Sequence, residues 1–134
     1  MEFKKKYSYT KKVVENEIDD LNHVNNIVYL QWVQEVSELH WNLLSNNDLN
    51  SKYFWVVLRH EIDYFSSAKL NDSITITTFI GDSYGVKSER FVEIYKEEKL
   101  LVKAKTIWCL ISKITMKPIR IPEEINTILS EIKI

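Results

Sequence analysis

Along the chain, the hydrophobic periodicity changes from two residues to three or four. Apolar residues alternate with lysine, serine and threonine between Phe3 and Val13, a pattern typical of a β-strand with one solvated face. From Val28 to Leu43 they recur every three or four positions, which predicts one amphipathic helix of about five turns. The helix should end at the polar run SNNDLNS, because Asn and Asp favour turns. Its predicted apolar face holds Val28, Trp32, Val36, Leu39 and Leu43.

After this polar run the two-residue alternation returns and predicts four further strands. They are FWVVLRHEIDYF, SITITTFI, VKSERFVEIYK and LLVKAKTIWCLIS. The connections between the last three are short, so these three strands should form an antiparallel meander. Gly81 and Gly85 fall in one of the turns, where a positive φ is expected. Beyond Pro122, two glutamates followed by spaced isoleucine and leucine residues, ending at Ile132, predict a short C-terminal helix.

This order of elements predicts an α+β domain. A helix as apolar as the central one must be covered, and a curved five-stranded antiparallel sheet wrapped around it would do so. The chain has 134 residues, 45% of them hydrophobic, which fits a single domain over residues 1–134. Aromatic residues fall on both faces of the predicted strands, so a second subunit is expected to cover part of the sheet. We therefore expect a homo-oligomer, either a homodimer or a homotetramer.

Charge and cysteine content narrow the class of protein. With 18 basic and 19 acidic residues the formal charge is −1, so no overall field attracts nucleic acid or a membrane surface. The most apolar stretch, residues 27–44, is interrupted by glutamine, glutamate and asparagine, which a membrane-spanning helix would not tolerate. The single cysteine, Cys109, and the absence of a signal-peptide pattern predict a cytoplasmic protein. The three histidines show no metal-ligand spacing, so no metal site is expected.

Polar chemistry concentrates in the eight residues DDLNHVNN, just before the helix. One interpretation is a helix cap, in which Asn25 or Asn26 accepts hydrogen bonds from the first turn and the aspartates complement the helix dipole. A cap needs only one such side chain, however, and His23 adds a group that titrates near neutral pH. Unpaired N–H groups at a helix start would also polarise a carbonyl, and a nearby carboxylate would suit acyl hydrolysis.

The stretch DDLNHVNNIVYLQW, residues 19–32, resembles the D-x-x-G-H-V-N-N-x-x-Y-x-x-W signature of hotdog-fold acyl thioesterases. This group includes 4-hydroxybenzoyl-CoA thioesterases and plant-type acyl-carrier-protein thioesterases. The order of elements and the segments IDYFSSAKLNDSITITT and KPIRIP also resemble this family. The resemblance implies a hotdog fold, with a sheet curled round one helix and active sites at the junction of two paired subunits. It also implies hydrolysis of acyl-CoA or acyl-carrier-protein thioesters, with no cofactor.

Transferred position by position, the resemblance assigns catalytic roles to Asp19, His23 and Asn26. Asp19 would act either as a nucleophile or as the general base for water, and the sequence leaves both options open. The Asn26 amide would polarise the thioester carbonyl, and His23 would position substrate or water. Asn25 would fix the loop or contact substrate, and Tyr29 would line the substrate pocket.

One position departs from the signature, because Asn22 stands where glycine is usual. Asparagine adopts left-handed backbone angles more readily than other non-glycine residues, so the turn should persist. The departure keeps a rival hypothesis open, a hotdog domain that binds an acyl group or a partner without hydrolysis and uses the cluster only as a cap. A hotdog hydratase or dehydratase is a third hypothesis.

Overall fold

The computed structural model describes residues 6–130. The strands are β1 (Lys6–Lys12), β2 (Tyr53–Tyr64), β3 (Ser73–Tyr84), β4 (Lys87–Lys96) and β5 (Lys99–Ser112). The helices are α1 (Asn26–Leu44), α2 (Asn47–Lys52) and α3 (Glu123–Ser130), and a 3₁₀ turn covers Glu15–Glu17. The five strands pair antiparallel in the order β1-β3-β4-β5-β2. The predicted α+β architecture of one long helix on a five-stranded sheet is confirmed, including the meander of β3, β4 and β5.

Helix α1 packs on the sheet through a stripe of side chains three or four residues apart. The prediction was correct for Trp32 and Val36, which are buried. It was wrong for Leu39 and Leu43, which are 43% and 68% exposed. Leu39 lies at the margin of the stripe and Leu43 in the last turn of the helix. Beyond Val36 the buried positions of α1 are taken by polar residues, because the strand residues beneath them are polar as well. The buried residues of α1 are Tyr29, Trp32, Val33, Val36, Ser37 and His40.

A polar row crosses the sheet beneath the second half of α1. The strand register places Arg90 of β4 opposite Thr106 of β5, and Thr106 opposite His60 of β2. The hydrophobic side chains form two clusters on either side of this row. The larger cluster lies under the first half of α1, and the smaller one includes α2, α3 and the end of β5. The core is therefore divided by a buried polar layer.

The polar run after α1 ends that helix, as predicted, but it then forms α2 instead of a turn. Asn46 caps the new helix, because its Oδ1 accepts a hydrogen bond from the N–H of Leu49 at 2.8 Å. The Trp41 indole donates to Asn50 Oδ1 at 2.9 Å, and Leu49 is buried. Tertiary contacts of Leu49 and Asn50 thus stabilise a helix that the local composition did not indicate.

The two glycines have different roles. Only Gly85 has a positive φ, of 60°, as a turn residue requires. Gly81 lies within β3, where the pairing with β4 is irregular between Ile80 and Ser83. A Cβ at Gly81 would lie 2.7 Å from Phe91 Cε2, so glycine is needed there for close packing. The prediction of a turn was therefore wrong for Gly81.

Two predicted element ends, at Phe3 and at Ile132, lie outside the described residues. Within residues 6–130, no helix combines the length and apolar character needed to cross a membrane.

Candidate active site

The three predicted catalytic residues lie on a tight loop and at the helix start that follows it. An isolated antiparallel bridge pairs Ile18 with Val24 at the base of this loop. The N–H of Asp19 donates to the carbonyl of His23 at 2.8 Å, and the N–H of Asn22 donates to the carbonyl of Asp19 at 3.1 Å. The backbone therefore reverses direction within five residues and is closed by its own hydrogen bonds.

The carboxylate of Asp19 also holds this loop in shape. Its Oδ1 accepts hydrogen bonds from the N–H groups of Leu21, at 2.9 Å, and His23, at 3.1 Å. An aspartate that binds the backbone two residues ahead forms an Asx turn. Asp19 is exposed, and its Oδ2 accepts no hydrogen bond from the described residues. One oxygen of the carboxylate is thus structural, and the other is available to a ligand.

Asn22 has a φ of 61°, which confirms that it adopts the left-handed conformation expected of the signature glycine.

His23 is half-buried, and its ring makes no hydrogen bond with a described residue. No group of three or more His, Cys, Asp and Glu side chains is placed to hold a metal ion within residues 6–130.

The start of α1 provides a free backbone donor beside the loop. Asn25 is the N-cap, as one of the two predicted capping residues, and its Oδ1 accepts from the N–H of Ile27 at 3.1 Å. The next donor, the N–H of Val28, is bound to the Asn25 carbonyl at 2.8 Å. The N–H of Asn26 donates to no described residue. An unpaired N–H at the positive end of a 19-residue helix is a suitable donor to an oxyanion.

Tyr29, predicted to line the substrate pocket, is buried in the core. Its hydroxyl accepts a hydrogen bond from the N–H of Ala68 at 2.8 Å, and the Ala68 carbonyl accepts from the N–H of Val24 at 2.9 Å. Burial is the main cause of a raised pKa of Tyr29, and the negative charge of Asp19 adds to the rise. Tyr29 therefore anchors the segment before β3 to α1, close to the loop, and a contact with substrate stays a prediction.

Glu17 stabilises the segments on either side of the loop, and this role was not predicted from the sequence. Its Oε2 accepts from Lys11 Nζ at 2.6 Å and from the Trp32 indole at 3.2 Å, and its Oε1 accepts from the N–H of Val14 at 2.9 Å. Its carbonyl accepts from the N–H of Asn25 at 3.0 Å. The available signal was the position of Glu17 three residues after Val14, the spacing at which a glutamate reaches back to a helix start.

Large apolar side chains are exposed in the loop, at the start of α1 and at the end of β2. We call Leu21, Ile27, Tyr64 and Phe65 the apolar rim, because all four are large and exposed. Tyr64 ends β2, an edge strand of the sheet, and its ring lies 5.7 Å from that of Tyr29. Two cavities, one between the second half of α1 and the sheet and one beside Glu35, do not include any residue of the loop. Leu21 and Ile27 are 75% and 64% exposed, so the loop and the helix start present apolar groups at the surface.

Comparison with known proteins decides the family. A sequence model described as the thioesterase-like superfamily matches residues 13–129. The chain belongs to this superfamily. No curated protein matches the sequence. The described sheet and helix are accordingly the hotdog fold that the signature implied.

Solved structures of thioesterases are similar to this superfamily member over most of its length. A probable thioesterase from Bartonella henselae is 27% identical, covers 87% of this chain and 99% of its own, and has a TM-score of 0.77. The probable thioesterase YbaW from Escherichia coli is 26% identical, covers 91% and 95%, and has a TM-score of 0.79. A 1,4-dihydroxy-2-naphthoyl-CoA thioesterase from Synechocystis, 20% identical, covers 94% and 96% with a TM-score of 0.81 and shows a shared fold.

Proposed function

We propose that this protein hydrolyses acyl thioesters at the Asp19 loop. The observation that carries the proposal is that two groups, seven residues apart across one closed loop, have no hydrogen-bond partner among the described residues. They are Oδ2 of Asp19, an acceptor, and the N–H of Asn26, a donor. Membership of the thioesterase-like superfamily supports it.

In this mechanism the thioester carbonyl binds at the start of α1 and its oxygen accepts a hydrogen bond from the Asn26 N–H. The helix dipole favours the negative charge that develops on that oxygen. Oδ2 of Asp19 either attacks the carbonyl carbon or removes a proton from the attacking water. When Asp19 acts as the base, water adds to the carbonyl carbon, the C–S bond breaks, and the leaving thiolate takes up the proton that Asp19 removed, which leaves the carboxylic acid. When Asp19 attacks instead, loss of the thiolate leaves an anhydride between the acyl group and Asp19. A water then cleaves that anhydride, one of its protons goes to the thiolate, and the carboxylic acid and the free Asp19 carboxylate result. A thioester is electrophilic enough for this without a serine nucleophile.

The neighbouring polar residues have supporting roles in the proposal. The His23 ring, which has no hydrogen bond with a described residue, positions water or substrate. The Oδ1 of Asn25 accepts the capping hydrogen bond, so Asn25 would contact substrate through its Nδ2. The proposed substrates carry their acyl group on coenzyme A or on an acyl carrier protein, and the Synechocystis enzyme is named for a coenzyme A thioester.

We further propose that a second copy of the chain completes the site. Leu21 lies in the loop, and the Tyr64 ring at the end of the edge strand β2 lies 5.7 Å from the ring of Tyr29, one turn into α1. Large exposed apolar groups and sheet edges of this kind mark interaction surfaces. Covering them would exclude water from the thioester and strengthen the polarisation by Asn26.

The decisive experiment compares Asp19→Asn with Asp20→Asn in assays with a panel of acyl-CoA thioesters. Asparagine keeps the Oδ1 acceptor that holds the loop but lacks the charge, so Asp19→Asn should lower kcat by roughly 10² to 10⁴ with little change in melting temperature. Asp20→Asn removes the same charge one residue away. It should leave kcat within about twofold of wild type, because the loss of one surface charge has little effect by itself. Equal rates for Asp19→Asn and wild type would contradict the catalytic assignment.

The non-catalytic hotdog domain remains the rival, because Asp19 and Asn25 both use side-chain oxygens to hold the backbone. It predicts no hydrolysis of any thioester by the wild-type chain. It also predicts that Asp19→Ala, which removes the Oδ1 acceptor as well, lowers only the melting temperature.

A further inference from the structure

A cavity of about 260 Å³ lies between the second half of α1 and the sheet. Ser88 and Arg90 of β4 and Trp108 of β5 form part of its wall, and the strand register places Trp108 directly opposite Ser88. Ser37 of α1 is eleven residues beyond Asn26, so the cavity is roughly 16 Å along the helix from the proposed catalytic donor. It is a separate site from the Asp19 loop.

Arg90 is buried at this cavity without an acidic partner. The residue is 7% exposed, and its Nη1 donates to His40 Nδ1 at 2.8 Å and to Thr78 Oγ1 at 3.2 Å. Its Nε and Nη2 make no hydrogen bond with a described residue, and no carboxylate of residues 6–130 lies within ion-pair distance. Burial lowers the pKa of Arg90 to about 10, so the guanidinium stays charged at neutral pH. A buried charge without a counter-charge is costly, and an anion would offset that cost.

Two further groups on the same wall are hydrogen-bond donors. The indole Nε1 of Trp108 is buried and has no hydrogen-bond partner in the described part of the chain. The Ser88 hydroxyl accepts from Ser83 Oγ at 2.9 Å, which leaves its own proton to donate. The Trp108 Nε1 has almost no accessible surface, so it is closed off from the cavity, and the donors open to a ligand are those of Arg90 and Ser88. A carboxylate is an acceptor with two oxygens and no donor, which matches these donors.

The rest of the wall is half aromatic or apolar and half polar, and it includes Lys113, whose Nζ donates to the Asn50 carbonyl. Trp41 and Trp55 meet edge to face with ring centroids 5.6 Å apart, and Tyr53 and Leu129 complete this side. The one acidic residue of the lining, Glu38, is exposed and forms no ion pair with Arg90. Small-molecule sites usually enclose roughly 300 to 1,000 Å³, so this volume suits a small ligand.

We propose that this cavity binds a small free carboxylate with an aromatic or short aliphatic body. The carboxylate accepts hydrogen bonds from the Arg90 guanidinium and the Ser88 hydroxyl, and the body packs against Trp41 and Trp55. Binding at this site does not depend on hydrolysis at Asp19, so the two proposals can fail separately.

The test is calorimetric titration of the purified protein with benzoate and with benzamide, which has the same shape without the charge. Benzoate should bind and benzamide should bind at least about tenfold more weakly, since hydrogen bonds to a charged group contribute roughly 1.5–3 kcal/mol. Arg90→Met should abolish benzoate binding, while Arg59→Gln, at an exposed arginine of β2, should not change it.

A second variant guards against misfolding of Arg90→Met. Ser88→Ala keeps the charge and removes the hydroxyl donor, and it should weaken benzoate binding by about fivefold or more, the value of one hydrogen bond. Absence of benzoate binding to wild type, equal binding of benzoate and benzamide, or unchanged benzoate affinity in both cavity variants would overturn the proposal.

The carboxylate end of a long acyl group would present the same chemistry, and one comparison separates it from a free carboxylate. If the free carboxylate is the ligand, Arg90→Met should change kcat/KM for dodecanedioyl-CoA and dodecanoyl-CoA by the same factor. A selective loss with dodecanedioyl-CoA would assign the cavity to the acyl chain and overturn the free-carboxylate proposal.

Discussion

At the residue scale, Asn22 controls the shape of the Asp19 loop. Its φ of 61° lies in the left-handed region, which is costly for residues other than glycine. Leu21 and His23, the residues on either side of it, both donate their N–H groups to Asp19 Oδ1. The left-handed turn at Asn22 is what allows both donors to reach the same oxygen. The conformation of one exposed residue therefore positions the proposed catalytic carboxylate.

This leads to a prediction for substitutions at Asn22. Asn22→Gly should fold with unchanged or slightly raised stability, because glycine adopts this φ without strain. Asn22→Ala should lower the free energy of unfolding by about 1–2 kcal/mol and reduce kcat/KM together with it. Urea unfolding and steady-state kinetics measure the two effects. Asn42→Ala, on an exposed position of α1, is the matched control and should not be destabilised. Equal stability of Asn22→Ala and Asn22→Gly would contradict this role.

At the element scale, Glu17 joins β1, the 3₁₀ turn and α1. It receives hydrogen bonds from Lys11 of β1 and from the Trp32 indole of α1, and Lys11 Nζ also lies 4.8 Å from the Trp32 ring centroid. Burial alone would raise the pKa of Glu17, but the hydrogen bonds and the charge of Lys11 outweigh it, and the pKa falls below its ordinary value of 4.5. The ionised form is therefore the one that the fold favours.

The sign of this pKa shift sets a pH dependence. A carboxyl whose pKa is lower in the folded state contributes stability above its unfolded pKa and loses it as the pH falls through the folded pKa. Glu17→Gln should lower the unfolding free energy by about 1–3 kcal/mol at neutral pH, with the difference from wild type shrinking below about pH 4.5. Urea titrations across this range measure it. Glu15→Gln, an exposed residue of the same turn, should show no such dependence, and a Glu17→Gln difference that is constant with pH would contradict the argument.

The element scale also shows what the sequence could and could not predict. Alternation and helical spacing located five strands and α1, because both periodicities are properties of neighbouring residues. The Asp19 loop and the Asn25 cap were predictable for the same reason, since they lie within a single short stretch. Arg90, Trp108 and His40 are brought together only by strand register and helix packing, and nothing in their local sequence indicated that they would meet. Gly81 was misassigned because its constraint comes from Phe91, on another strand.

At the scale of the whole molecule, the loop and the apolar rim lie on one surface. Leu21 lies in the loop and Ile27 follows it at the helix start, and the ring of Tyr64, at the end of β2, lies 5.7 Å from that of Tyr29. β2 is an edge strand, so its outer backbone groups are free to pair with another strand. A second chain placed here would cover apolar side chains and an open sheet edge at once. The proposed active site and the proposed subunit contact are therefore one surface.

The last prediction couples assembly to activity. Wild type should behave as a dimer or a larger closed oligomer in light scattering, and Phe65→Glu should shift it toward monomer because a buried carboxylate without a partner opposes association. Phe65 belongs to the rim and not to the Asp19 loop, so its variant should lose activity only as it dissociates and should regain it at higher protein concentration. Ile114→Glu, at an isoleucine that is 89% exposed elsewhere on the surface, is the control and should keep both assembly and activity. A fully active wild-type monomer would contradict this coupling, because it would show that the Asp19 loop hydrolyses thioesters without a second subunit.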